Sequence, residues 1–275
     1  MTQIGRSSRR HSVVVPGTHG AHVTLGWAAL SDKGYRRAVN EDSALARSPL
    51  FAVADGMGGH TAGDFASAAV VTRLAEQVGE DFIESSQLSD ALRAAVDDMG
   101  RGVGQTDLGT GTTVTGIALS MVDGAPCWLV YNIGDSRTYQ LLDGVLTQLT
   151  VDHSIVQELL DAGAITPAEA EVHPHSNVIT RAVGFNEDPV PDFSYIPVVA
   201  GARLLVCSDG LTKELTEHGI RHFLVEGETA LDAAGSLMDA ALGNGGRDNV
   251  TVIVVDVLET PESAGAAQRK REHRH

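Results

Sequence analysis

Acidic residues recur in this sequence at the points where apolar stretches end. In the segments 51–56 and 203–210, a run of apolar residues leads almost directly to an aspartate, and a glycine follows it. Five places combine the end of a β-like run, an acidic residue and a neighbouring Gly or Asn, and their acidic residues are Glu41 with Asp42, Asp55, Asp135, Asp209 and Asp248. One aspartate of this kind is usually a turn residue. Five such places in one chain favour a site, because a carboxylate at the end of a buried strand is destabilising unless it is paired or binds a cation.

The residues next to these carboxylates indicate a class of cation. Gly56 follows Asp55 and Gly210 follows Asp209. A residue without a side chain lets a backbone carbonyl approach the same ion. Hard oxygen ligands without supporting Cys or His favour magnesium or manganese over zinc.

The remaining pattern predicts an α+β fold. Stretches with β character lie at 23–30, 49–54, 111–122, 127–133, 137–149, 193–199, 203–207 and 250–257, and helical patterns lie at 63–79, 88–99, 154–162, 212–225 and 228–242. Because helices follow one another in pairs instead of alternating singly with strands, we expect antiparallel sheets covered by helices. The Asp143-Gly144 dipeptide predicts a tight hairpin turn.

Both ends of the chain have the composition of tails. Residues 1–22 are polar, basic and interrupted by glycine, and residues 260–275 are polar without an apolar period. We therefore expect a flexible basic N-terminal tail, one domain over residues 23–259 and a polar C-terminal tail.

The overall charge and the cysteine content exclude several classes of protein. The formal net charge is −16 although both terminal segments are basic, so the body is strongly acidic and unsuited to nucleic acid or anionic lipid. Two cysteines cannot form a disulfide framework, and the longest apolar run, 250–258, is far too short for a membrane helix. We expect a cytoplasmic protein without membrane insertion.

Seven short motifs follow one another in a distinctive order. In one-letter code they are RxxNED at 37–42, DGMGGH at 55–60, GTGTT at 109–113, GDSR at 134–137, LTxDHS at 149–154, SDGL at 208–211 and DN at 248–249. Each motif alone is weak, but in this order they resemble the metal-dependent type 2C (PPM) protein serine/threonine phosphatases in their bacterial form. The resemblance covers about residues 24–257. It implies a four-layer αββα sandwich, with two central antiparallel β-sheets flanked by helix pairs and a metal site at one end.

The resemblance also implies which residues bind the metals. Asp55 would bridge two Mn²⁺ or Mg²⁺ ions. Their remaining ligands would be Asp209 and Asp248 for one ion and Glu41 with the Gly56 carbonyl for the other. Bacterial members often bind a third ion, for which Asp135 beside Asp209 is the candidate ligand.

Other residues would act on the substrate and on water. By resemblance, Arg37 would hold the phosphate and Asp42 would hold metal-bound waters. His60 is the candidate proton donor, with a structural role or a contact to metal-bound water as alternatives, because Met57 stands where animal members carry their histidine. The segment 154–184 lies where the family carries a mobile flap, although a rigid surface subdomain fits the sequence nearly as well.

The function implied is hydrolysis of phosphoserine and phosphothreonine by in-line attack of a hydroxide that bridges the two ions. Phosphorylated proteins, including a Ser/Thr protein kinase, would be the partners, and the enzyme would be a monomer. Two alternatives are a non-catalytic regulator that binds phosphoproteins and another two-metal phosphoesterase, such as a nuclease. The full carboxylate set argues against the first alternative, and the acidic charge argues against nucleic acid.

Overall fold

The computed structural model describes residues 1–58, 62–102, 110–185 and 188–261. The strands are β1 (Thr2–Gly5), β2 (Ser8–Val14), β3 (His22–Asp32), β4 (Asp42–Arg47), β5 (Leu50–Met57), β6 (Gly111–Thr112), β7 (Val114–Val122), β8 (Ala125–Ile133), β9 (Arg137–Leu142), β10 (Val145–Gln148), β11 (Asp192–Pro197), β12 (Arg203–Cys207) and β13 (Val250–Glu259). The α-helices are α1 (Ala62–Ala75), α2 (Ser85–Gly102), α3 (Ile155–Asp161), α4 (Pro167–Glu171), α5 (Asp209–Thr212), α6 (Glu217–Glu226) and α7 (Ala230–Gly243), and Glu76–Gly79 forms a 3₁₀ turn.

The strands of the described residues form two sheets. The first has the order β1-β4-β5-β7-β8-β11, with β6 beside β5, and the second has the order β10-β9-β12-β13-β3-β2. Neighbouring strands pair antiparallel, except that β1 and β4 run parallel. The predicted hairpin between β9 and β10 is confirmed. Its turn residues Asp143 and Gly144 have φ angles of 50° and 76°, which is the left-handed region that this tight turn requires.

Apolar side chains fill three interfaces, one between the two sheets and one between each sheet and its covering helices. Between the sheets, Trp27 packs edge to face on Phe51 with ring centroids 5.3 Å apart, and Phe51 packs on Trp128 at 6.4 Å. The helices α1 and α2 cover the outer face of the first sheet, and α6 and α7 cover the outer face of the second. The predicted α+β sandwich of four layers is therefore confirmed, with one parallel strand pair at the edge of the first sheet.

The N-terminal segment differs from the expected flexible tail. Residues 2–5 form β1 beside β4, and residues 8–14 form β2 beside β3, so this segment adds one strand to each sheet. Apolar side chains hold it, since Val13 and Val15 are buried, and the Trp27 indole donates a 2.9 Å hydrogen bond to the Arg6 carbonyl. The prediction of a tail here was wrong because an unpaired sheet edge can bind a segment of mostly polar composition through its backbone.

The segment after β10 contains two short capped helices. Ser154 caps α3, and Thr166 caps α4 with a reciprocal contact to Glu169 and with Pro167 in the first turn. The helix predicted at 154–162 is therefore confirmed. Mobility of this segment stays a prediction. Residues 262–275 of the expected C-terminal tail lie outside the described residues. Among the residues described, no helix has the length and apolar character that a bilayer span requires.

Candidate metal centre

Carboxylates from both sheets meet at one end of the sandwich. Asp42 is the first residue of β4 and lies directly opposite Asp55 of β5. Asp209 begins α5 two residues after β12, and Asp248 lies two residues before β13, the neighbour of β12. Asp135 lies in the short connection between β8 and β9. Antiparallel pairing thus gathers residues that are far apart in the chain.

Asp42 is fully buried and connects the two sheets. Its Oδ2 accepts hydrogen bonds from Ser208 Oγ at 2.9 Å and from Thr251 Oγ1 at 2.6 Å. Its Oδ1 is buried and has no hydrogen-bond partner among the described residues. Burial raises the pKa of Asp42 to about 7 against the effect of these two hydrogen bonds, and repulsion from Asp209 and Asp248 adds to the rise. A buried carboxyl oxygen without a partner fits contact with a water molecule or an ion.

The surroundings of Asp55 and Asp135 also disfavour the ionised form of their carboxyl groups. Burial raises the pKa of Asp55 well above its ordinary value, and the charges of Asp42 and Asp209 raise it further. Burial likewise raises the pKa of Asp135 to about 7, with repulsion from Asp209 and Asp152 as the next causes. Like charges that are gathered in this way require a compensating cation when all of them ionise.

Asp209 and Asp248 are bound to basic side chains. Lys213 Nζ lies 2.5 Å from Asp209 Oδ2 and 3.0 Å from Asp248 Oδ2. Arg37 contacts the same Asp248 with two nitrogens, with Nε 2.7 Å from Oδ1 and Nη2 2.9 Å from Oδ2. Burial opposes ionisation of Asp248, but the Arg37 hydrogen bond and the Lys213 charge hold its pKa below the ordinary range. Asp209 Oδ1 is buried and has no hydrogen-bond partner among the described residues.

Close backbone packing fixes Glu41 and Gly56. The backbone N–H of Glu41 donates a 2.8 Å hydrogen bond to Asn249 Oδ1, which ties β4 to the start of β13. A Cβ atom on Gly56 would lie 2.2 Å from the Gly63 carbonyl oxygen and 2.7 Å from that of Glu41. No side chain fits at position 56, so the fold requires glycine there.

The donor set matches a hard divalent cation. Its atoms are carboxylate oxygens, two of which, Asp42 Oδ1 and Asp209 Oδ1, are buried and have no hydrogen-bond partner in the described residues. In the part of the chain that the structure describes, no three Asp, Glu, His or Cys side chains converge closely enough to hold an ion as they stand. Asp209 and Asp248 instead contact Lys213 and Arg37. A metal ion that binds these two carboxylates would compete with their basic partners.

The structure locates most of the predicted site residues. Five of the predicted carboxylates come together, namely Asp42, Asp55, Asp135, Asp209 and Asp248. Beside them lie Glu41, Gly56 and Arg37. His60 and Gly109 lie outside the described residues. Sequence reasoning missed Lys213 as a site residue. Its position one helical turn after Asp209 was the available signal, because residues four apart share a helix face.

Known proteins resemble this chain in sequence and in structure. The protein phosphatase 2C family model matches residues 35–244. The serine/threonine protein phosphatase PstP of Mycobacterium tuberculosis is 43% identical over 243 residues, which cover 86% of this chain and 46% of that protein. The chain thus spans about half the length of this relative. The serine/threonine phosphatase stp of Listeria monocytogenes is 35% identical over 241 residues, which cover 82% of this chain and 93% of that protein.

A solved structure shows the same fold. The catalytic domain of PstP in complex with two manganese ions superposes with a TM-score of 0.73 at 39% identity, and the match covers 86% of this chain and 99% of that one. The family match extends over most of the domain and includes the strands and loops that carry most of the carboxylates. The chain belongs to the protein phosphatase 2C family.

Proposed function

We propose that this chain is a metal-dependent phosphatase that hydrolyses phosphoserine and phosphothreonine in proteins. The observation that carries the proposal is the carboxylate cluster at the end of the sandwich, with two buried oxygens that lack hydrogen-bond partners among the described residues. The names of the relatives, and the two manganese ions of one relative, support it.

The proposed ligand assignment is the one that the resemblance to the phosphatase family implies. Asp55 lies near the acidic groups of both sheets and would be shared by two ions. Asp209 and Asp248 would complete one ion, Glu41 with the Gly56 carbonyl would complete the other, and Asp135 with Asp209 would hold a third. Bound Mn²⁺ or Mg²⁺ supplies an activated water at neutral pH and positive charge against the phosphoryl oxygens.

Two side chains would act on water and on the phosphate. Asp42 is anchored through Oδ2 by Ser208 and Thr251, so its Oδ1 can accept a hydrogen bond from a water molecule in the site. Arg37 is half exposed and already forms a two-pronged contact with Asp248. The same planar fork matches two oxygens of a phosphate. His60 as proton donor is part of the proposal and lies outside the described residues.

The proposal extends to partners and location. Phosphorylated proteins, including a Ser/Thr protein kinase, are the proposed partners of a cytoplasmic monomer. The formal net charge of −16 disfavours nucleic acid as the substrate.

One assay distinguishes the proposal from its alternatives. Metal-stripped protein is assayed with and without Mn²⁺ on peptides phosphorylated on Ser or Thr, on Tyr-phosphorylated peptides and on bis-p-nitrophenyl phosphate. We expect Mn²⁺-dependent hydrolysis of the Ser/Thr peptides, and Asp209→Asn as the matched inactive control. Binding of phosphopeptides without turnover would support a regulator, and preferential cleavage of the diester would support a phosphodiesterase.

A further inference from the structure

Lys213 lies within the carboxylate cluster and not at its rim. It follows the four-residue helix α5, about one turn after Asp209, so its side chain returns toward the start of that helix. Its ammonium contacts Asp209 Oδ2 and Asp248 Oδ2 at 2.5 and 3.0 Å, and its side chain is 32% exposed. The two carboxylates belong to segments on either side of α6 and α7, and this one cation joins them.

The contacted pair is the pair that the proposed function assigns to a single ion. One Oδ2 atom from each carboxylate is engaged by the ammonium, while Asp209 Oδ1 has no hydrogen-bond partner among the described residues. Asp135 also experiences the charge of Lys213. A divalent ion that binds both Asp209 and Asp248 competes with the ammonium for these two carboxylates.

Arg37 does not perform the same task. It contacts only Asp248 within the pair, and it does so from a half-exposed position. Within the described part of the chain, Lys213 is the basic residue that contacts Asp209, and it joins the two carboxylates. Displacing it breaks two charge-assisted hydrogen bonds at once.

We infer that Lys213 is a built-in competitor of the metal ion, which neutralises Asp209 and Asp248 in the metal-free protein and must leave them when an ion binds. This inference rests on the proposed function, because it takes the pair as metal ligands. Lys213 therefore stabilises the metal-free protein and weakens metal binding. Either ion must break the same two ion pairs as it enters, so Lys213 reduces the affinities for Mn²⁺ and Mg²⁺ by the same factor.

The test measures metal binding directly. Metal-stripped protein that contains residues 1–275 is titrated with Mn²⁺ and with Mg²⁺ by isothermal calorimetry, as wild type and as Lys213→Gln, Lys213→Arg and Lys33→Gln. We expect Lys213→Gln to bind both ions about tenfold more tightly, because these ions no longer displace a charge-assisted partner. Lys213→Arg keeps the charge and should stay near wild type. Lys33 is the one other lysine of the described residues and is exposed, so Lys33→Gln controls for the change in net charge.

A second readout is the melting temperature. In EDTA, Lys213→Gln should melt below wild type because the carboxylates lose their cation, and saturating Mn²⁺ should raise its Tm more than that of wild type. If Lys213→Gln is unfolded in EDTA, the Mn²⁺ concentration is instead lowered stepwise from saturation while Tm is measured. The dependence of Tm on Mn²⁺ then compares the Mn²⁺ affinities of wild type and Lys213→Gln.

The outcomes separate this inference from the proposed function. Equal or weaker metal binding by Lys213→Gln, with wild type binding Mn²⁺ and Asp209→Asn failing to do so, would overturn the inference alone. If Lys213→Gln bound only one of the two metals more tightly, the prediction of an equal change in both affinities would be wrong. The role of Lys213 as a competitor would then be rejected as well. If wild type bound neither ion, the proposed function itself would fail.

Discussion

Asp42 and Asp55 face one another directly across β4 and β5. Like charges at opposite positions of an antiparallel pair destabilise a sheet, and burial and this neighbour raise the pKa of Asp55. A strand pair selected only for stability would place an apolar or an oppositely charged pair here. The arrangement is consistent with a site that is completed by a cation.

The first prediction concerns pH and the metal-free protein. Folding raises the pKa values of Asp42 and Asp135 to about 7, against about 4 in an unfolded chain. Between these values the folded state binds more protons than the unfolded state, so stability is lost as the pH rises from about 4 through 7. In EDTA, Tm should be higher at pH 5 than at pH 8, and Asp42→Asn should flatten the slope. A Tm that rises over this range would contradict the prediction.

The second prediction separates stability from activity at Asp55. Asp55→Asn keeps the shape and removes a charge that Asp42 and Asp209 repel, so metal-free Tm should rise by a few degrees, roughly 2–4 °C per kcal/mol for a domain of this size. Activity should fall more than about 100-fold, since even outer partners of metal ligands matter by about 10–100-fold. Calorimetry and steady-state kinetics check the two effects.

A carboxylate outside the site provides the matched control for Asp55. Asp98 accepts hydrogen bonds from Arg73 at 2.5 and 2.9 Å and from Arg101 at 2.6 Å, and these partners hold its pKa well below the ordinary range. Asp98→Asn should lower Tm and leave kcat unchanged. If Tm shifted in the same direction in Asp55→Asn and Asp98→Asn, charge repulsion would not be the main effect of Asp55 on stability.

The third prediction concerns Arg37 and the phosphoryl group. Arg37→Ala should lower kcat/KM for p-nitrophenyl phosphate by roughly ten- to a hundredfold at saturating Mn²⁺, as expected when a charge-assisted hydrogen bond of ~1.5–3 kcal/mol is removed. Arg37→Lys should recover only part of the activity, because an ammonium lacks the planar fork. Wild-type kinetics in both variants would show that Arg37 does not bind the phosphoryl group.

The fourth prediction contrasts metals with thiols. Cys207 is fully buried, and this burial raises the pKa of its thiol to about 12, so it is neither accessible nor ionised at neutral pH. Activity should disappear in EDTA, return with Mn²⁺ and survive iodoacetamide. Inactivation by the alkylating agent while the protein remains folded would favour a cysteine nucleophile instead.

The fifth prediction concerns the segment around α3 and α4. Its ends are fixed, since Ser154 bridges Ile179 and Thr112 bridges Val183. Replacing residues 157–176 with a short linker should leave p-nitrophenyl phosphate hydrolysis within a few-fold and reduce activity on phosphoproteins much more, because binding energy from remote parts of the substrate is removed. Equal losses on both substrates would mean that the segment supports the metal centre.

The sequence predicted those features that depend on local patterns. The Asp143-Gly144 turn and the strand-end position of Asp209 could be predicted because their determinants are adjacent in the chain. The strand β4 was missed, because Asp-Ser-Ala-Leu-Ala-Arg has a low intrinsic β preference and becomes a strand through pairing with β1 and β5. The contact of Lys213 with Asp248 was missed because it depends on two segments that the sheet brings together.

The N-terminal segment also determines which strands of the sandwich are open to other molecules. By pairing with β4 and β3, it covers one edge of each sheet. The outermost strand at that edge is then the four-residue β1 in the first sheet and the arginine-bearing β2 in the second. The pairing of β2 is irregular between Ser8 and His11. Short length, positive charge and broken register are the features by which natural sheets resist joining to one another. Removing these few residues would expose the edges of β4 and of the eleven-residue β3, and the expected consequence is self-association of the protein.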